Sequence, residues 1–241
     1  MAHWPVLVLV YLGALLRPAT VVPPAQSVTA ASPAAPFFAA GTDIAATSAY
    51  VWRGFVPSGF SVQPSLWIGA GPVTVSSWMN LAEVDGLDPM TEHDLTVDYS
   101  ARAAGGTISM GYINYVFPGV QAGGHSQEVY AGYAHASRFS PAVRVFHDFA
   151  EGSGTYVSAG AALPHAFGGG RWVVTGRASI GYNHRQWIDL STWNDLNVGV
   201  TLALPVIAKR LAIAPFVARS QSLNAAAVPS RWYGGVGIGI K

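Results

Sequence analysis

The sequence predicts an all-β fold: one transmembrane, antiparallel, up-and-down β-barrel of about twelve strands. Three observations carry this. Of 241 residues, 51% are hydrophobic and only 10% are charged, against roughly 25% charged residues in an ordinary soluble domain. After residue 30, however, no stretch stays apolar over the roughly 18 residues that a membrane-crossing helix needs. Finally, apolar and polar residues alternate with period two in one segment after another, and the connections between segments are short and long in turn.

The alternation is clearest from Asp94 to Arg102, where Leu95, Val97 and Tyr99 fall on one face and Asp94, Asp98 and Arg102 on the other. In the same way Arg144, Phe146 and Asp148 oppose Val143, Val145 and His147. Arg171, Thr175, Arg177 and Asn183 oppose Trp172, Val174, Ile180 and Tyr182, and Asn197 and Thr201 oppose Val198, Val200 and Leu202. Twelve such segments lie near 43–54, 63–71, 73–80, 93–102, 107–115, 126–136, 142–149, 155–163, 171–183, 195–204, 211–219 and 231–240. Most have the length a tilted strand needs to cross a bilayer. A soluble β-sandwich is the competing fold, but it has no reason to alternate its loop lengths.

The short connections are 71–72, 103–106, 137–141, 164–170 and 205–210. The other set, mostly longer, is 55–62, 81–92, 116–125, 184–194 and 220–230, with 150–154 as its short member. Short periplasmic turns and longer outer loops are the rhythm of an outer-membrane barrel. An even strand count puts both chain ends on the periplasmic side, so the first connection is an outer loop. Six aromatic residues, Trp52, Tyr112, Tyr133, Trp172, Tyr182 and Trp232, fall near expected strand ends, where a ring with a polar edge suits the membrane–water interface.

Residues 1–30 read as a secretory signal peptide. Trp4 to Leu16 is an apolar run too short to span a bilayer, and Val28-Thr29-Ala30 supplies small residues for cleavage, although the run is preceded by His3 and no Lys or Arg. Residues 31–41 read as a disordered leader, and 42–241 as the barrel. Localisation in the outer membrane of a Gram-negative bacterium follows. The expected partners are outer-membrane lipids including lipopolysaccharide, the outer-membrane assembly machinery, and small solutes or ions. The barrel is expected to be a monomer.

The remaining composition excludes several function classes. Net charge is +1 and no basic run exists, so nucleic-acid binding has no electrostatic source. Without cysteine there are no disulfides, thiolate zinc sites or thiol nucleophiles. No cofactor motif is present, and no Gly-x-Ser-x-Gly, Walker A or His-Glu-x-x-His pattern.

Nine charged residues are expected to face the lumen: Arg53, Asp94, Asp98, Arg102, Glu128, Arg144, Asp148, Arg171 and Arg177. Ions there must be paired or hydrated. Either they form a closed salt-bridge network, or they line a water-filled path and select solutes. Arg53 is expected to play a structural part, since Gly54 frees space beside it. Carboxylates also gather at Glu83, Asp85 and Asp88 with Glu92; these read as a solvated outer loop, or as a divalent-cation site facing lipid phosphates.

The run Ser48-Ala49-Tyr50-Val51-Trp52-Arg53-Gly54-Phe55, followed by Gln63-Pro64-Ser65-Leu66, resembles the opening hairpin of the TorF-type family of porins. That family begins with an aromatic-x-aromatic-Arg-Gly strand end, a short loop and a proline-containing second strand. The resemblance implies an outer-membrane barrel and a pore. The chain departs from the common barrel ending: Trp232 to Lys241 alternates, but no terminal Phe closes it. His135-Ala136-Ser137 resembles the His-x-Ser of outer-membrane lipid A deacylases, where His would activate the Ser hydroxyl. It falls at a short periplasmic turn, away from the outer leaflet. The expectation is a passive channel and no enzyme. The alternatives are a closed, adhesin-like scaffold displaying outer loops and a lipid-modifying enzyme.

Overall fold

Alternation can bury nothing unless the strands find neighbours, and a strand in lipid must satisfy every backbone group internally. The computed structural model describes residues 38–83, 89–118, 120, 124–207 and 210–240. The signal-peptide assignment lies outside the described residues. The strands are β1 (Phe38–Thr47), β2 (Tyr50–Trp52), β3 (Phe55–Ser58), β4 (Ser61–Ala70), β5 (Val73–Ala82), β6 (Met90–Ala103), β7 (Gly106–Val116), β8 (His125–His135), β9 (Ala142–Asp148), β10 (Gly154–Phe167), β11 (Trp172–His184), β12 (Ser191–Ile207), β13 (Leu211–Ser222) and β14 (Arg231–Ile240).

All of these except β2 and β3 form one closed antiparallel barrel of 12 strands. Closure is made where β1 pairs with β14, from Thr42 opposite Ile240 to Thr47 opposite Gly235, while the other side of β1 pairs with β4. No edge strand is left to recruit another chain. The outward face carries Leu66, Ile68, Val75, Leu95, Val97, Val145, Val198 and Val200, all exposed. A continuous exposed apolar belt around a closed barrel is a lipid-facing surface.

Several boundaries differ from the alternation-based ones. β1 begins at Phe38, inside the stretch assigned to a disordered leader, and ends at Thr47, well before residue 54. β10 and β12 run on through Pro164 and Pro205. Pro205 is accommodated at a register shift between β12 and β13, where a missing N–H is tolerated.

The largest departure is between β1 and β4. Residues 48–60 do not extend the wall or cap it from outside. β2 and β3 form a separate two-stranded sheet, with Trp52 opposite Phe55. Tyr50, Val51 and Trp52 are all buried. Consecutive side chains of a strand point to opposite faces, so burial of all three means that the hairpin has protein on both sides. It lies inside the barrel, at the end holding the longer loops.

Candidate functional site

The turn of the inserted hairpin is Arg53-Gly54. Both residues have positive φ, 50° and 83°, as the two central positions of a type I′ turn require. Arg53 adopts this conformation without being glycine, so its surroundings must hold it there. At Gly54 a Cβ would lie 2.9 Å from the Val228 side chain and 3.0 Å from that of Asp195. Glycine is therefore needed both for its φ and for its closeness to the wall.

The guanidinium of Arg53 reaches β8. Its two terminal nitrogens donate to the two Glu128 oxygens at 2.7 and 2.8 Å, and both side chains are fully buried. The group also lies over the rings of Phe146, Trp52 and Tyr156, at 4.0, 4.4 and 4.9 Å from their centroids. Glu128 accepts further bonds from the Tyr115 hydroxyl at 3.0 Å and the Gln186 amide at 2.7 Å. The Asn194 amide donates to the Arg53 carbonyl. Asn194 reaches inward because the β11–β12 register shifts beside it, Gly181 pairing with Asp195 and Tyr182 with Trp193. A bulge of this kind turns two consecutive residues to one face, and both Asn194 and Asp195 are buried. Tyr156 donates to Asp195 at 2.9 Å, over Gly181, where a Cβ would collide with the Tyr156 hydroxyl.

Around this centre the outer half of the lumen is solid. Tyr50, Trp52, Trp78, Ile113, Tyr115, Tyr130, Phe146 and Tyr156 form one buried cluster. Gln186 and Val228, from two outer loops, are buried with them. Toward the periplasmic end many inward-facing residues are small and only partly buried, although Trp67 of β4 and Phe216 of β13 also face inward there and Thr107, Ser109, Ala203 and Ala214 are buried. Ser65 and Gly69 of β4, Thr74 and Ser76 of β5, Ser158 and Ala162 of β10, Thr201 of β12 and Gly239 of β14 are all only partly buried. The periplasmic half of the lumen is thus a more loosely filled vestibule, closed above by the hairpin.

The nine expected lumen charges do not form one set. Arg53, Glu128, Asp94 and Asp148 are buried in the outer half. Asp148 accepts from the Ser126 hydroxyl at 2.8 Å. Asp98, half-buried, accepts from Tyr130 and Ser100 lower down. Arg144 is buried against the rings of Tyr130 and Phe146. Arg177 faces the vestibule from β11, half-buried, and Arg102 is exposed near the end of β6. Arg171 is a correction: it belongs to the turn before β11, its N–H bonded to the Gly168 carbonyl, and it is exposed.

Of the six interface aromatics, Tyr133, Trp172, Tyr182 and Trp232 lie on the outward face towards strand ends. Tyr112 faces outward but away from the ends, between Val97 and Val129. Trp52 is a second correction, since it is buried in the inserted hairpin. Glu92 does not join an outer carboxylate loop; it is buried in the lumen, while Asp85 and Asp88 lie outside the described residues. His135 contacts the Tyr133 hydroxyl at 3.1 Å rather than Ser137, so His135-Ala136-Ser137 forms no dyad. Elsewhere His93 meets Ser77 at 2.8 Å, His147 meets Thr155 at 3.1 Å, and His184 meets Ser191 at 2.7 Å. Three such pairs on adjacent strands are a repeated cross-strand contact rather than one special site.

Tyr115, Phe146, Tyr156, Gln186, Asn194 and Asp195 were not legible as site residues. One signal was available. Tyr50-Val51-Trp52 lacks polar alternation, as a strand buried on both faces does, and Arg-Gly follows it as a two-residue turn.

The chain has the fold of an outer-membrane β-barrel. Among solved structures it resembles the NanC porin, with a TM-score of 0.57 and 9% identity over 83% of this chain and 99% of that one. An outer-membrane channel from Pseudomonas putida F1 gives 0.48 and 14%, covering 86% and 96%. Outer-membrane phospholipase A from Escherichia coli gives 0.43 and 13%, covering 84% and 92%. These are bacterial outer-membrane proteins, and at such identities the likeness concerns the fold alone. No protein-family model and no curated sequence matches the chain.

Proposed function

We propose that this barrel is a passive channel for small hydrophilic solutes or ions, shut at its outer mouth by the β2–β3 hairpin. One observation carries the reading. The lumen is closed by a segment separate from the wall, and below that segment much of its lining is small and only partly buried. A barrel serving only as a scaffold has no use for a vestibule; it can fill its whole bore with wall side chains, as small barrels do. The likeness of the 48–55 motif to the opening hairpin of TorF-type porins supports the same reading. In this proposal the barrel acts as a monomer among lipopolysaccharide and other outer-membrane lipids, is inserted by the outer-membrane assembly machinery, and needs no catalytic group.

The test is current across planar bilayers. The intact protein is expected to be silent with brief openings. A variant with residues 48–60 replaced by a short Gly-Ser link is expected to conduct steadily. If the hairpin-less barrel, shown to be folded by its heat-modifiable migration on gels, passes no current, the channel reading falls and the closed scaffold displaying its outer loops takes its place.

A further inference from the structure

We propose that the compartment around Arg53 is a binding site for small organic cations bearing a guanidinium or a protonated amine. The hairpin fills it with a tethered guanidinium. This rests on the channel reading and names the class of solute that the channel would admit.

The recognition groups belong mostly to the wall and not to the hairpin. Glu128 is on β8, Phe146 on β9 and Tyr156 on β10, while Gln186 comes from the loop before β12. Each is also held by something other than Arg53. Tyr115 and Gln186 bond Glu128, Asp195 holds the Tyr156 hydroxyl, and Phe146 packs between the rings of Tyr130 and Tyr156. A carboxylate whose two oxygens, each already holding one donor, can each accept one more, and two aromatic faces therefore remain when the hairpin leaves. Bidentate pairing with a carboxylate and stacking over ring faces are the features that recognise a planar guanidinium.

The charge balance points the same way. The buried ionisable residues are five carboxylates, Glu92, Asp94, Glu128, Asp148 and Asp195, and two arginines, Arg53 and Arg144. Withdrawing the hairpin removes the Arg53 charge and leaves Glu128 without its counter-ion, and buried charge without a counter-ion is strongly disfavoured. A cationic solute restores the balance and competes with the hairpin for the same seat. An anion would meet the Glu128 carboxylate at the centre of that seat.

The test uses the full-length barrel in detergent with Arg53→Ala, probed with methylguanidinium in the millimolar range. Methylurea, of the same shape but uncharged, is the control. Binding is read from tryptophan emission, since Trp52 lines the pocket and Trp78 lies in the same buried cluster, and from the thermal transition. Arg53→Ala is expected to bind methylguanidinium saturably and to gain thermal stability from it. It should ignore methylurea, and adding Glu128→Gln should weaken binding at least about tenfold, as loss of a charge-assisted pair implies. The intact protein should respond weakly, its site being occupied. If Arg53→Ala does not fold, Arg53→Gly, which suits the positive φ of this position, empties the same seat and is read in the same way. A folded variant with no saturable response, or with equal responses to methylurea or in the Glu128→Gln background, overturns the proposal. Binding is read without current. A hairpin-less barrel that is electrically silent while Arg53→Ala binds methylguanidinium removes the channel but leaves the site. Steady conduction without binding does the reverse.

Discussion

Two ion pairs of similar length show how burial sets the value of a contact. Arg185 and Asp189 meet at 2.8 Å with side chains 62% and 85% exposed, whereas Arg53 and Glu128 meet at 2.7 Å with both at 0%. An exposed pair contributes about 0–1 kcal/mol. Breaking a buried one strands a charge and costs about 3–5 kcal/mol. Glu128→Gln is therefore expected to lower the unfolding free energy of the detergent-solubilised barrel by that larger amount, and Asp189→Asn by less than about 1 kcal/mol, in parallel denaturant titrations. Equal losses would mean that the Arg53–Glu128 pair is hydrated in solution. The sequence predicts a structural part for Arg53 at a strand end. Its importance was legible from the Arg-Gly step, but its partner 75 residues away was not, because sequence distance says nothing about which inward-facing acid lies opposite.

For a single strand, β6 shows what alternation settles and what it does not. Val97 is 42% exposed on the lipid face and Thr96 is 5% exposed on the lumen face. Val97→Arg puts a charge near the middle of the lipid belt and is expected to cost about 2–4 kcal/mol. Alternation alone would make Thr96→Arg the mild comparison, since a lumen tolerates charge. The inserted hairpin overturns that, because Thr96 lies in the filled half and has no room for a longer side chain. Ser100→Arg is the mild one. It faces the vestibule from the same strand, where Ser100 bonds Asp98. Unfolding midpoints of the three variants are expected to rank Ser100→Arg above both others. A Ser100→Arg barrel as unstable as Val97→Arg would show that the vestibule is packed.

For the whole molecule, lumen charges divide by depth. Arg144 is buried against Tyr130 and Phe146, whereas Arg177 faces the vestibule without a hydrogen-bond or ion-pair partner among the described residues. In the hairpin-less barrel, Arg177→Glu is expected to shift the reversal potential in a salt gradient towards cations with little loss of stability. Arg144→Glu is expected to lose stability first, since it sets a carboxylate against aromatic faces in a buried place. Selectivity unmoved by Arg177→Glu would place the narrow part of the path elsewhere. Period two reports the face of a residue and not its depth, so alternation alone puts all nine charges in one lumen set.

Chain length, scarce charge, period-two alternation and loop rhythm determined the barrel, its number of strands and its lipid-facing side. These are local properties: a strand half in lipid must alternate along its own length, whatever its neighbours are. Whether the bore is open was decided only by the tertiary structure. Residues 48–60 could extend a strand, cap the barrel or enter it with the same local sequence. What selects entry is a set of contacts scattered over the chain. Glu128, Phe146, Tyr156, Gln186 and Asn194 converge on the one residue Arg53 only after the barrel has closed, and no window of sequence contains that convergence.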